Sequence, residues 1–230
     1  MKSERHQGNH LKYLTLLPDD YQEDVTYPLV IMLHGFGANM EDLAGLAPAI
    51  ETEGYVYACP NAPIPFDLGL GQVGYGWSPP RGQATSQDIQ NAESLLKGFF
   101  EEIFEIFEGS DGNAILLGFS QGGGMTYRCG IERPDTFKGL VALSAALPDP
   151  TDLIGRLPTN RDQPIFIAHG LSDAMVSMET ARNTREFLES KGYNPDYHEY
   201  AMGHEIPLAV MQDMIPWMTN ILPPYRRTVA

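Results

Sequence analysis

The chain has 230 residues, with 30 Asp and Glu against 15 Lys and Arg, a formal net charge of −15. Its mean field therefore repels phosphate backbones and anionic membrane surfaces, and nucleic acid is not an expected partner. Hydrophobic residues at 43% and charged residues at 20% describe a globular chain rather than a disordered one, of a length that fits one domain over 1–230.

Short apolar runs at 11–17, 29–33, 55–59, 114–117, 139–143, 165–168 and 196–200 predict strands. Segments at 41–52, 86–108, 121–132, 179–191 and 205–221 predict helices between them. This alternation argues for an α/β fold, a mostly parallel central sheet with helices on both faces. Continuous apolarity in 29–33, 114–117 and 165–168 marks central strands, and sites in open parallel sheets form beyond the carboxyl ends of such strands. Two glycine- and proline-rich stretches, 61–84 and 148–163, predict loop insertions rimming that edge. In the first, Phe66, Leu68, Leu70, Tyr75 and Trp77 are the candidate substrate-binding residues, able to hold an acyl chain, although a packed surface loop explains them equally well. The last helix, with Met211, Met214, Ile215, Trp217, Met218 and Ile221, covers the sheet or packs on a second subunit, which leaves a homodimer open.

The start, Met1-Lys2-Ser3-Glu4-Arg5-His6, lacks the apolar segment of a secretory signal, and Cys59 and Cys129 provide no disulfide framework. A cytoplasmic location is the resulting expectation, with the two thiols acting as small apolar groups. No apolar run approaches the ~20 residues of a spanning helix, so no stable membrane insertion is expected.

Chemistry concentrates in Gly118-Phe119-Ser120-Gln121-Gly122, directly after the apolar run at 114–117. Ser120 is expected on a tight strand-to-helix turn, its hydroxyl exposed between two glycines beside a helix start that favours negative charge. Glycine-bounded turns also occur without chemistry, so the weight comes from the other residues in the chain. A serine hydroxyl needs a base, and the base needs an orienting acid. Of six histidines, His6 and His10 lie in a polar N-terminal segment, His34 and His169 sit at strand ends where they stabilise loops, and His198 falls inside an alternating strand. His204 follows the last predicted strand on a loop able to reach Ser120, and is the candidate base. Asp173 follows the run at 165–168 through a short turn and is the candidate acid, whereas Asp149, Asp152 and Asp162 are expected to be solvated. The N–H groups of Phe36, in His34-Gly35-Phe36-Gly37, and of Gln121 are the candidate oxyanion donors. No His-x-x-x-His pair or clustered cysteine set offers metal ligands, no cofactor is implied, and Gly-x-Gly-x-x-Gly spacing is missing.

Together Leu33-His34-Gly35-Phe36-Gly37-Ala38-Asn39, Gly118-Phe119-Ser120-Gln121-Gly122-Gly123, His169-Gly170 with Asp173 and Val176, and Gly203-His204-Glu205-Ile206 resemble the α/β-hydrolase fold. Within it they are similar to the phospholipase/carboxylesterase family, which includes acyl-protein thioesterases. The resemblance covers nearly the whole chain and implies Ser120 as nucleophile, Asp173 as acid, His204 as base, and Phe36 and Gln121 as oxyanion donors. Where family members often show Trp-Phe-Asp and Ser-Gly, this chain has Trp77-Ser78-Pro79 and Ser144-Ala145, which leaves the substrate open. The expected function is a serine carboxylesterase acting through an acyl-enzyme on a small-molecule ester, with a short to medium acyl group. Thioester or lysophospholipid hydrolysis is the alternative, and a non-catalytic binding protein of this fold is the rival from another class.

Overall fold

In a computed structural model, which describes residues 1–80 and 82–227, an eight-stranded sheet runs in the order β1-β2-β4-β3-β7-β8-β9-β10. Its members are β1 (Lys2–Gln7), β2 (Lys12–Leu17), β3 (Leu29–Leu33), β4 (Val56–Pro60), β7 (Ala114–Phe119), β8 (Phe137–Leu143), β9 (Ile165–Gly170) and β10 (Asp196–Tyr200). All neighbours from β4 to β10 are parallel, while β1–β2 and β2–β4 are antiparallel. A separate hairpin pairs β5 (Ile64–Gly69) with β6 (Gln72–Gly76).

Alternation along the strands divides the core. Leu29, Ile31, Leu33, Leu116, Leu140 and Ile167 pack with α2 (Ser86–Ile106), α3 (Gln121–Gly130) and α5 (Met178–Ser190). Val30, Met32, Leu117, Val141 and Phe166 pack on the other face with α1 (Ala47–Ile50) and α6 (Leu208–Ile221). In α6, Val210, Met211, Met214 and Met218 are buried, so this helix covers the sheet with its apolar stripe. Cys59 and Cys129 are buried free thiols, and burial raises both above the ordinary thiol range.

Three elements differ from the sequence reading. β1 is a strand although polar, because it lies exposed at the sheet edge and pairs only with β2; an edge strand needs no apolar face. The predicted helix at 41–52 shrinks to a 3₁₀ turn at Leu43–Leu46 followed by α1. The insertion at 61–84 is not structureless, since it holds the β5–β6 hairpin, whose turn residues Leu70 and Gly71 both have positive φ, as such two-residue turns require.

The parallel register aligns the carboxyl ends. Leu33 pairs with Gly118, Phe119 with Leu143, Leu143 with Ala168 and Gly170 with Tyr200. His34, Ser120, Ser144, Asp173 and the loop carrying His204 therefore emerge at one edge. Among the described residues, no helix is long and apolar enough to cross a membrane.

Candidate active site

Ser120 links β7 to α3 with φ 55° and ψ −117°, a strained conformation for a residue with a side chain. The turn is held at both ends: Ser120 N–H donates to Leu143 O at 2.8 Å and Gly124 N–H to Ser120 O at 3.1 Å. Gly122 has no room for a side chain, because a Cβ there would stand 2.0 Å from Leu33 O. That contact brings α3 directly against the end of β3 and leaves the serine at the crest.

His204 reaches this crest from the loop after β10. Its Nε2 lies 2.8 Å from Ser120 Oγ and its Nδ1 2.7 Å from Asp173 Oδ2. An ionised carboxylate only accepts, so Nδ1 carries the hydrogen and Nε2 presents its lone pair to the hydroxyl. The Phe119 ring stands beside the imidazole at 4.8 Å. Gly170 permits the loop to come close, since a Cβ there would meet Gly203 O at 2.3 Å.

The Asp173 side chain is fully buried. Burial pushes its carboxyl upward, but the Val176 N–H, the His204 ring and the Met175 N–H outweigh burial and hold it below the usual carboxylate range. The two amides donate to Oδ1 at 2.9 and 2.8 Å. The acid therefore stays ionised, aimed at His204 by donors on its opposite oxygen.

The segment from His34 to Gly37 lies beside the serine, a Cβ on Gly35 being 3.4 Å from Ser120 Cβ. Neither Phe36 N–H nor Gln121 N–H has an acceptor among the described residues. His34 is buried and latches this loop: its Nδ1–H donates to Gly35 O at 2.7 Å and its Nε2 accepts from Ala62 N–H at 3.0 Å. Burial lowers its pKa to about 4, against a smaller upward effect of the Gly35 carbonyl, so the ring is neutral. The hairpin is stitched to the same loop, because Gly37 N–H donates to Tyr75 O and Tyr75 N–H to Ala38 O, both at 2.8 Å.

The candidate substrate-binding residues divide. Phe66 packs on Phe36, centroids 4.7 Å apart, at the rim of the loop, and Tyr75 is half-buried against the core. Trp77 is no pocket wall: it is fully buried, its Nε1–H donating to His34 O at 2.9 Å. Its indole fills the space beneath the loop, where substrate cannot touch it. Leu68 and Leu70 face solvent near the hairpin tip, so they enclose nothing.

Sequence reasoning missed the Gln121 side chain. Its Oε1 accepts from Trp77 N–H at 2.7 Å, and its Nε2 donates to Ser78 O at 3.0 Å and Ser78 Oγ at 2.8 Å. The departure at Trp77-Ser78-Pro79 thus supplies a polar partner for this amide. No local pattern signals it, because the partners lie more than forty positions apart.

The insertion at 148–163 forms α4 (Pro150–Ile154) with Asp149 as N-cap. Asp152 is not merely solvated, since it pairs with buried Arg128 at 3.1 Å. Arg128 also meets Glu93 at 3.1 Å, and Arg156 bridges Glu93 at 2.7 Å and Glu132 at 3.0 Å. This network ties the insertion to α2 and α3. Among the described residues, no group of three or more His, Cys, Asp or Glu is placed to hold a metal ion.

Known proteins share this arrangement of elements. The crystal structure of esterase PE8 superposes with a TM-score of 0.79 over 96% of this chain and 100% of that one, at 22% identity, a likeness of fold. Acyl-protein thioesterase 1 of Neurospora crassa is 29% identical over 84% of this chain and 86% of its own length. A probable carboxylesterase of Oryza sativa subsp. japonica is 28% identical over 84% of this chain and 77% of its own. Residues 21–222 match the family described as Phospholipase/Carboxylesterase. The chain belongs to that family, and is a hydrolase with the α/β-hydrolase fold.

Proposed function

We propose that the chain is a serine carboxylesterase that cleaves small-molecule esters of short to medium acyl groups through an acyl-enzyme on Ser120. The observation that carries this reading is the His204 ring, within hydrogen-bond reach of Ser120 Oγ at 2.8 Å and Asp173 Oδ2 at 2.7 Å. His204 Nε2 takes the hydroxyl proton as Oγ attacks the ester carbonyl, and Asp173 stabilises the imidazolium that forms. The oxyanion accepts hydrogen bonds from Phe36 N–H and Gln121 N–H, the second strengthened by the start of α3. The imidazolium then returns its proton to the leaving alcohol, and water repeats the sequence to release the acid. The rim contacts of Phe36 and Phe66 support an apolar acyl group.

Thioester cleavage is the second reading, supported by the names of relatives such as the Neurospora crassa protein. The net charge of −15 disfavours anionic head groups at long range, within the limits of salt screening. The cytoplasm is the proposed location.

A fluorophosphonate probe tests the chemistry. Labelling of the parent and none of Ser120→Ala is expected, with the variant losing ester turnover by about 10⁴-fold or more. Parent-like turnover by Ser120→Ala refutes the mechanism, and an unlabelled, inactive parent favours a binding protein. A series of p-nitrophenyl esters from acetate to palmitate, with a palmitoyl thioester and a lysophospholipid, separates the substrates; turnover confined to the long thioester overturns the short-acyl preference.

A further inference from the structure

One buried imidazole at the same sheet edge has no part in the chemistry above. His169, next to last in β9, has a side chain with no exposure, its Nε2 lying 2.8 Å from Val176 O and 3.5 Å from Asp173 Oδ2. A carbonyl only accepts, so Nε2 carries a hydrogen and donates it to Val176 O. Val176 is thereby held at both main-chain groups, its C=O by His169 and its N–H by Asp173 Oδ1.

Nδ1 of His169 and the hydroxyl of Ser144 are both buried without a hydrogen-bond partner among the described residues. The pairing of Leu143 with Ala168 puts these two residues at the next register position of adjacent strands, and Ser144 N–H donates to Ala168 O at 2.8 Å. Ser144 is fully buried and holds φ 48°, a conformation that costs a non-glycine residue free energy. The two groups are therefore not bonded to one another, and His169 is fixed through Nε2.

We propose that His169 is a positioning residue for Asp173. This rests on the roles proposed for Ser120, His204 and Asp173. By holding Val176, whose N–H donates to Asp173 Oδ1, His169 keeps the carboxylate from turning away as the imidazolium forms.

The test is p-nitrophenyl butyrate hydrolysis by the full chain carrying His169→Leu, His169→Gln or His169→Asn, each also combined with Asp173→Asn. Removing the donor with leucine is expected to lower kcat about tenfold with KM within about twofold, as for one hydrogen bond worth about 1.4 kcal/mol in the transition state. Glutamine, whose amide nitrogen reaches the place of Nε2, rescues kcat; asparagine, whose amide reaches only the place of Nδ1, does not. In the Asp173→Asn background the leucine effect shrinks below about twofold, because the group it acts through is gone. Equal leucine effects in both backgrounds, or glutamine as slow as leucine, overturn the proposal. Should the leucine variant not fold, the glutamine and asparagine pair decides by the same criterion. Parent-like kcat in Asp173→Asn alone refutes the assignment of the acid instead.

Discussion

Replacing Gln121 with alanine removes the three hydrogen bonds that fasten Trp77 and Ser78 to the start of α3, at 2.7, 3.0 and 2.8 Å. Trp77 is fully buried, so its main-chain N–H loses its acceptor where water does not easily replace it, and an unpaired buried donor costs about 1–3 kcal/mol. Ser78 is half-buried and recovers part of its loss from water, so the total is about 2–3 kcal/mol. For a domain of this size each kcal/mol shifts Tm by about 2–4 °C, which predicts a fall of about 4–12 °C. The proposed oxyanion donor at 121 is a backbone group and survives the change, so kcat on a short p-nitrophenyl ester should fall less than about tenfold. Gln121→Glu retains an acceptor for Trp77 N–H but loses both donors, and its fall in Tm should be intermediate. Calorimetry together with steady-state kinetics reads both quantities. A Tm within about 1 °C of the parent, or a kcat as low as that of Ser120→Ala at unchanged Tm, refutes the assignment of this side chain as a brace.

Two further perturbations address the frame of the site. His34 is neutral in the fold, with a pKa of about 4 against an ordinary value of 6.5, so the unfolded chain binds the extra proton as pH falls and stability is lost between about pH 6.5 and 4. Linkage puts this loss at about 3 kcal/mol, measurable by urea denaturation across that range, and His34→Gln should flatten the slope; an unchanged slope refutes the assignment. Gly122→Ala forces a Cβ to within 2.0 Å of Leu33 O, and should cost more than about 4 kcal/mol or prevent folding, as seen in denaturant midpoints and expression. A loss under about 1 kcal/mol would show that α3 does not press on β3.

How much of the molecule is legible in its sequence depends on the range of the interaction concerned. The strand at 29–33 and the helix over Ser86–Ile106, predicted at 86–108, are visible because apolar continuity and helical periodicity are local signals. The strand at Lys2–Gln7 is not, since it is exposed, pairs with β2 alone and has the composition of a loop. Ser120, Asp173 and His204 can be named because each comes soon after a recognisable strand, and parallel strands deliver the residues beyond their carboxyl ends to one edge. Trp77 reads as a pocket wall because a glycine- and proline-rich setting looks like a surface; only the packing beneath the His34 loop makes it core.

The amino-acid order by itself determined the alternation of strand and helix, the sheet edge that carries the chemistry, and the candidate nucleophile, base and acid, because these depend on periodicity and on the residues that end a strand. Tertiary structure alone decided that His204 meets Ser120 and Asp173 at bonding distance, that Gln121 braces Trp77 and Ser78, and that His169 grips Val176 behind the acid. The physical reason is that a hydrogen bond is set to within tenths of an ångström by the packing of every element around it, whereas a sequence pattern records only which face of an element each residue occupies.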